Sequence, residues 1–252
     1  MGTRQGGVSQ APFDSLNLHP AALNDHGAPA DDPRAVSENI RRYGTALGAQ
    51  PVFLQQVHGV AVLDLDDLTN LTEPAGLADA AVTTRFGLAC TVLVADCLPV
   101  LFTDQAGRAV AAAHAGWRGL AAGVLENTVE ALCRSAACHS AQVLAWLGPC
   151  IGPQAFEVGP DVLQAFGVKP EPAQVSSPQA GQFRYAPRPD GTPRWKADLA
   201  GLARQRLWAA GVRHISASSL CTVADASRFF SFRRDGLTGR MAASVWRRAG
   251  RG

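Results

Sequence analysis

The amino-acid sequence predicts a single α+β or mixed α/β domain, and three observations support that fold class. Runs typical of strands and of helices interleave along the 252 residues. Two apolar runs, residues 98–103 and 109–114, are joined by a short turn containing Asp and Gly, which indicates a β-hairpin. Apolar residues make up 47% of the chain and charged residues 17%, so a large core can be buried. No internal repeat or linker divides the chain.

The other elements are predicted from periodicity and from the positions of Gly and Pro. Helical spacing predicts helices over residues 36–47, 120–136, 161–166 and 198–210. Strand-like runs predict strands over residues 52–56, 60–65, 142–147, 212–220 and 229–234, and residues 80–84 begin the approach to the hairpin. Residues 169–193 contain six prolines and two glycines, which indicates a long surface loop. Residues 1–35 are assigned to an irregular segment, and the residues after 234 to a tail.

Composition excludes several classes of function. The net charge of +2 gives no basis for a nucleic-acid or membrane-binding surface. We expect no signal peptide and no membrane span, because no apolar stretch approaches the necessary length. The six cysteines are scattered rather than arranged as a disulfide framework, so we interpret them as reduced thiols. The sequence therefore predicts a cytoplasmic protein, and we expect a monomer.

The predicted hairpin brings two chemically active residues together. If its turn is centred between Gln105 and Ala106, Cys97 lies directly opposite His114. Opposed residues in a ladder have Cβ atoms about 4.5–5.5 Å apart. That separation suits either one metal ion shared by a thiolate and an imidazole, or a thiolate–imidazolium pair. We therefore predict that the chemistry of this protein takes place between Cys97 and His114.

Two of the six histidines stand out, since His58 and His114 each end an apolar run and are followed by small residues. With Cys97 they form a His/Cys/His set, which leaves the fourth position of a zinc ion open for water or substrate. A multicopper centre needs more imidazoles, usually in HxH pairs, and no such pair occurs. Zinc is therefore the predicted metal, and copper suits the sequence less well. The remaining histidines are interpreted as surface or capping residues: His19, His26, His139 and His214.

Charged residues near this set are candidates for binding and acid–base roles. Arg118 begins a predicted helix just after His114, where a guanidinium and backbone N–H groups suit an anion such as phosphate. A solvated arginine is the alternative. Asp79 and Asp96 are predicted to orient a ligand histidine or to act as acid or base, the alternative being turn formation.

Other arginines and cysteines receive weaker assignments. The arginines near the C-terminus are interpreted either as phosphate ligands or as a solvated tail: Arg233, Arg234, Arg240, Arg247, Arg248 and Arg251. Cys150 is predicted to be packed rather than reactive. Packing is also the assignment for the remaining cysteines, namely Cys90, Cys133, Cys138 and Cys221.

Several runs of sequence together resemble one protein family. They are TRQGGVS (3–9), QQVHG (55–59), ADAAVT (78–83), ADCLPVLF (95–102), HAGWRG (114–119), LGPCIGP (147–153), CT (221–222) and FFSFRRDGLTGR (229–240). Over residues 3–245 the chain is similar to the YfiH-type family, also called the laccase-domain or multicopper polyphenol oxidoreductase family. The resemblance implies a four-layer α/β/β/α fold with mixed sheets, forming one catalytic domain over residues 1–252.

The resemblance also implies an activity and a set of site residues. It implies a zinc ion held by His58, Cys97 and His114, which are also the implied catalytic residues. Arg118 and Asp79 are predicted to bind substrate. The implied activity is that of a purine nucleoside phosphorylase acting on purine nucleosides and phosphate, with adenosine deaminase and methylthioadenosine phosphorylase activities.

Two alternatives stay open at this point. One is a cysteine hydrolase that edits peptidoglycan precursors, with Cys97 as nucleophile and His114 as base. The other is a polyphenol oxidase, as one of the family names suggests. Two departures from the family pattern occur: Ile40 stands where an arginine is usual, with Arg41 next to it, and Phe232 replaces a common tyrosine.

Overall fold

The computed structural model describes residues 1–20, 23, 30–70, 74–171 and 180–249. The helices are α1 (Pro33–Leu47), α2 (Trp117–Ala122), α3 (Val124–Ala136), α4 (Pro160–Ala165), α5 (Leu199–Ala209) and α6 (Phe232–Asp235). The strands are β1 (Gln50–Val52), β2 (Val62–Asp64), β3 (Ala80–Thr83), β4 (Leu88–Val94), β5 (Leu98–Asp104), β6 (Val110–Ala115), β7 (Val143–Leu147), β8 (Glu157–Val158), β9 (Phe183–Tyr185), β10 (Trp195–Ala197), β11 (His214–Ala217) and β12 (Met241–Trp246).

The strands form three sheets. The largest has six strands in the order β11-β7-β5-β6-β3-β2, a second has the order β1-β4-β12, and a third has the order β8-β10-β9. The large sheet is mixed, because β2 and β3 are parallel, as are β7 and β11, while the other pairs are antiparallel. None of the helices in the described ranges reaches the length and apolarity needed to cross a membrane.

Three of the apolar clusters in the core separate four layers. Helix α1 packs Tyr43 against Phe53 and Leu93 on the outer face of the β1-β4-β12 sheet. A second cluster, which includes Val92 and Ala112, lies between this sheet and the six-stranded sheet. Helices α3 and α5 cover the far face of the six-stranded sheet. The order of layers is therefore α/β/β/α, which confirms the predicted fold class.

The hairpin exists, but the predicted register is wrong. Pro99, not Cys97, lies opposite His114, and Cys97 precedes the strand. The turn is longer than predicted, because the Asp104 carboxylate accepts hydrogen bonds from the backbone N–H groups of Arg108 (2.6 Å) and Ala109 (3.1 Å). The resulting shift of two residues keeps each side chain on its predicted face of the sheet, since side chains alternate with a period of two.

Two predicted elements differ in type or continuity. The helix predicted over residues 120–136 is two helices, α2 and α3, which meet at Gly123 with a φ of 110°. The strand predicted over residues 229–234 is wrong, because α6 begins there. Ser231 caps this helix by accepting a hydrogen bond from the backbone N–H of Arg234 (3.2 Å), and a capping serine favours a helix start.

Strands were also missed. Strand β12 lies in the segment assigned to the tail, where Val245 is the single β-branched residue, so local propensity does not mark it. Its antiparallel pairing with β4 defines it instead. Strands β8 and β10 were not predicted, and β9 lies inside the predicted loop over residues 169–193. Residues 172–179 of that loop lie outside the described residues.

The end of helix α3 yields a prediction about stability. Ala137 has a φ of 47°, and the N–H groups of Ala137 and Cys138 donate to the carbonyl oxygens of Arg134 (3.2 Å) and Cys133 (3.0 Å). This left-handed position favours glycine. A side chain in this conformation costs about 1–2 kcal/mol. Glycine removes that cost but increases the conformational entropy of the unfolded chain, which cancels part of the gain. We therefore expect Ala137→Gly to raise the free energy of unfolding by about 0.5–1 kcal/mol. Urea unfolding measures the change. The control variant Ala136→Gly, inside the helix, should lower the free energy of unfolding. A lower free energy of unfolding in Ala137→Gly would contradict the prediction.

Candidate metal centre

The three predicted ligands meet at one end of the sheets. His58 lies between β1 and β2, Cys97 between β4 and β5, and His114 near the end of β6. Their ligand atoms all lie within 4.8 Å of one another. The Cys97 Sγ is 3.7 Å from the His58 Nε2. The two imidazole centroids are 4.8 Å apart, and the rings are inclined by 74°. Cys97 therefore joins the two histidines from the turn before β5.

The carboxylate of Asp79 is hydrogen-bonded to both histidines. Its side chain has no exposed surface. The His114 Nδ1 donates to one carboxylate oxygen (2.8 Å), which also accepts from the backbone N–H of His58 (2.9 Å). The other oxygen accepts from the backbone N–H groups of Gly59 (2.7 Å) and Val57 (3.1 Å). A proton held at Nδ1 leaves the Nε2 of His114 free as a ligand atom.

Electrostatics at the site favour a chain of charged groups. Burial opposes the ionisation of Asp79, but the hydrogen bond and charge of His114 lower the pKa of that carboxyl. Burial also opposes the charged form of His114, yet Cys97 and Asp79 outweigh it and raise the pKa of His114 to about 9. Burial of the Cys97 thiol is likewise outweighed by both histidines, above all by His114, which lowers the pKa of Cys97 to about 6. Thiolate, imidazolium and carboxylate therefore stabilise one another.

Backbone strain is concentrated at the same place. Three non-glycine residues in the described part of the chain have positive φ, and two of them are His58 (59°) and Asp96 (99°). The Asp96 carboxylate accepts hydrogen bonds from the hydroxyls of Thr222 (2.6 Å) and Ser231 (3.0 Å) and from the backbone N–H of Arg233 (2.7 Å). These bonds fix the turn that carries Cys97. Strained conformations persist where the surrounding structure determines them, and they cluster at functional sites.

The donor set fits a metal ion. A tetrahedral zinc ion with bonds of about 2.3 Å to sulfur and 2.0 Å to nitrogen places those two atoms roughly 3.5 Å apart, close to the observed 3.7 Å between Cys97 Sγ and His58 Nε2. One thiolate and two imidazoles suit zinc or copper better than magnesium or calcium. Within the ranges that the structure describes, this is the one group of His, Cys, Asp and Glu side chains able to hold such an ion.

The site opens into a cavity of about 510 Å³. Its lining includes the three ligand residues together with Arg118 and Arg240. Arg118 is exposed, and its guanidinium lies 4.3 Å from the Trp117 ring centroid. Further lining comes from the N-terminal segment, from the first residue of α6 and from the stretch after α6: Phe13, Asn17, His19, Leu23, Ala30, Asp31, Phe232, Leu237 and Thr238. Such a volume suits a small-molecule ligand.

Sequence reasoning missed most of this lining. Arg240 was one of several arginines assigned either to phosphate or to a solvated tail, and the structure places it in the cavity. His19, interpreted as a surface residue, also lines the cavity. Arg247 instead donates to the carbonyl oxygens of Gly107 and Thr84. Arg240 is placed in the cavity by elements that are far from it in the sequence. A local pattern of residues cannot indicate such a position.

The other candidate residues are not members of the ligand set. His214 pairs its Nε2 with the Gln105 side chain (3.2 Å) at the sheet edge formed by β11. His26 lies outside the described residues. Cys150 is buried, and burial raises the pKa of its thiol. All six cysteines are free thiols.

The two departures from the family pattern have different consequences. Ile40 packs its side chain against the cluster beneath α1. The neighbouring Arg41 forms an ion pair with Glu38 (2.7 Å) on the helix surface. Phe232 lines the cavity and is 60% exposed. Arg41 therefore does not take the place of an arginine at position 40, because its side chain is paired with Glu38 on the helix surface.

Fold and site together define a mixed α/β protein with a cavity-facing His/Cys/His set that could hold a metal ion. The model of one protein family, described as multi-copper polyphenol oxidoreductase laccase, matches residues 1–248. The chain therefore belongs to this family, as the sequence motifs predicted.

Characterised relatives carry a different description. The chain is 49% identical to a purine nucleoside phosphorylase of Pseudomonas aeruginosa over 97% of this chain and 90% of the relative. It is 46% identical to the purine nucleoside phosphorylase YfiH of Escherichia coli over 97% and 91% of the two chains. The crystal structure of NMB0706 from Neisseria meningitidis superposes with a TM-score of 0.83, at 41% identity over 98% of this chain and 92% of the other. The family and the fold are thus shown by independent comparisons.

Proposed function

We propose that this protein is a zinc-dependent purine nucleoside phosphorylase, with adenosine deaminase and methylthioadenosine phosphorylase activities. The observation that carries the proposal is the ligand set of His58, Cys97 and His114, which opens into a cavity of small-molecule size. The names of the relatives supply the substrate class, purine nucleosides and phosphate.

Each residue of the site has a separate proposed role. His58, Cys97 and His114 would hold the zinc ion, which supplies Lewis-acid chemistry when bound. Asp79 keeps a proton on the Nδ1 of His114 and thereby fixes the ring; because it has no exposed surface, we assign it to positioning rather than to direct contact with substrate. Arg118, exposed at the cavity, binds substrate by offering a cation to phosphate.

Turnover and metal content test the proposal together. The purified protein should carry about one zinc ion per chain and should release free base from inosine and adenosine only when phosphate is present. Elemental analysis and chromatography of the products measure both. Several copper ions at full occupancy, combined with oxidation of a phenol, would overturn the proposal in favour of a polyphenol oxidase.

A cysteine hydrolase acting on peptidoglycan precursors is the second candidate, and one observation favours it. Cys97, His114 and Asp79 form a thiol–imidazole–carboxylate chain in which the pKa of Cys97 is about 6. A low thiol pKa beside a histidine is the usual property of a cysteine nucleophile.

Alkylation of Cys97 separates the two candidates. As a zinc ligand, its thiolate is committed to the metal, so we expect it to resist iodoacetamide until a chelator removes the ion, with activity lost in parallel. As a nucleophile, it would react at once without chelator. Mass spectrometry of peptides reads the order of labelling, and the buried Cys90 and Cys150 serve as controls for unfolding.

We further propose that residues 1–252 act as one catalytic domain, as a monomer in the cytoplasm. In support, both ends of the chain line the same cavity, through Phe13 and Arg240. The six free thiols suit a reducing compartment. Size-exclusion chromatography with light scattering measures the oligomeric state.

A further inference from the structure

Thr238 presents a buried hydroxyl that the protein itself does not use. The residue is 5% exposed and lines the cavity together with the metal-binding set. Its Oγ1 has no hydrogen-bond partner within the described part of the chain. Native proteins rarely leave a buried hydroxyl without a partner, because such a group loses its hydrogen bonds to water on folding. An unpaired hydroxyl in the wall of a cavity therefore points to a ligand.

Arg240, two residues further on, lines the same cavity, and only one nitrogen of its guanidinium donates hydrogen bonds within the described residues. Its Nη1 donates to the carbonyl oxygens of Thr238 (3.0 Å) and Gly239 (3.3 Å). Among the described residues, its Nε and Nη2 have no hydrogen-bond partner and no carboxylate pairs with it. Burial lowers the pKa of Arg240, and the nearby charges of Cys97 and Asp96 offset this only in part. The Asp96 oxygens are occupied by Thr222, Ser231 and the Arg233 backbone. A partly buried cation of this kind favours an anionic ligand.

The backbone between these two residues is held on both sides. The N–H of Arg240 donates to the Asn17 Oδ1 (2.8 Å), and its carbonyl oxygen accepts from the N–H of Leu18 (3.0 Å). A Cβ on Gly239 would lie 2.7 Å from the Phe230 ring. Such close packing fixes the segment before a ligand arrives, which lowers the entropic cost of binding.

We propose that Thr238 and Arg240 form the binding site for inorganic phosphate, the anionic substrate of phosphorolysis. This inference rests on the proposed phosphorylase function and assigns its phosphate to these two residues. A purine nucleoside is uncharged and cannot balance the guanidinium, whereas phosphate oxygens accept hydrogen bonds from the guanidinium fork and from a hydroxyl at the same time. Arg118 is the exposed, secondary cation of the same cavity.

Binding of inorganic phosphate without nucleoside tests the assignment. Isothermal titration of the full-length, metal-loaded protein with phosphate should show affinity reduced about tenfold or more in Thr238→Val and in Arg240→Lys, since each loses hydrogen bonds to a charged ligand. The affinity for inosine measured without phosphate should stay unchanged. Thr238→Val should also melt at the same temperature as the parent or higher, because it removes a hydroxyl that has no partner.

Thr128→Val is the matched control. Its hydroxyl donates to the Val124 carbonyl oxygen (2.6 Å) inside α3, so the variant should melt lower and bind phosphate normally. Unchanged phosphate affinity in both Thr238→Val and Arg240→Lys would overturn the assignment, and so would weaker inosine binding with normal phosphate binding. If the parent protein turns over no nucleoside while both variants still lose phosphate, the phosphorylase function fails and the phosphate site stands.

Discussion

Replacing Gly116 by alanine should weaken metal binding and lower activity about 100-fold without unfolding the protein. A Cβ at this position would lie 2.5 Å from the His58 Cδ2, 3.1 Å from its Nε2 and 3.2 Å from the Cys97 Sγ. Gly116 has φ −65° and ψ 155°, which alanine adopts readily, so the clash is the single cost. The imidazole of His58 would have to turn away from the new Cβ, which moves its Nε2 from its position beside the Cys97 Sγ. A displacement of about 1 Å at a reacting group can cost roughly 100-fold in rate.

Metal titration and steady-state turnover measure this effect, and circular dichroism verifies the fold. Gly181→Ala is the matched control, because a Cβ at that position would have no neighbouring atom within 4 Å. We expect this control to keep its metal and its activity. Normal metal affinity in Gly116→Ala would mean that the ligand set is not packed as the structure shows.

Replacing Asp79 by asparagine should weaken both the metal site and the fold. The carboxylate accepts four hydrogen bonds, from the His114 ring and from three successive backbone N–H groups. An amide can offer one acceptor oxygen only, so its nitrogen would face donors. Loss of a partner beneath a ligand histidine typically lowers metal affinity about 10–100-fold, and breaking a buried ionic network costs about 3–5 kcal/mol of stability.

A second buried carboxylate separates these two effects. Asp104 is 1% exposed and accepts from the backbone N–H groups of Ala106, Arg108 and Ala109, at the far end of the hairpin from the metal site. Asp104→Asn should lose stability in urea yet bind zinc normally. If both variants lose metal affinity equally, the loss follows from general destabilisation and not from the orientation of His114.

The clustering of His58, Cys97 and His114 could be predicted because its signals are local. His58 and His114 each end an apolar run before a small residue, and Cys97 stands between two apolar runs. These patterns need no knowledge of distant partners. The register was less predictable, because the Asp104 side chain, and not only the backbone, sets the length of the turn.

The cavity wall could not be predicted in the same way. Arg240 acquires its position from contacts with Asn17 and Leu18, more than two hundred residues earlier in the chain, and Thr238 lies two residues before it. Strand β12, which follows them, is defined by its pairing with β4 and not by its own composition. Likewise, Ser231 makes α6 a helix where the aromatic residues before it favoured a strand. Long-range pairing overrides local preference at β12, whereas a local cap decides the structure at α6.

The cavity lining has a consequence for the biosynthesis of the protein. His58, Cys97 and His114 all belong to the first half of the chain, whereas Thr238 and Arg240 are among its last residues. A ribosome completes the strands that carry the metal ligands long before it reaches the far wall, since synthesis proceeds at about 5–20 residues per second from the N-terminus. The three proposed ligands are therefore synthesised before the residues that complete the far wall of the cavity.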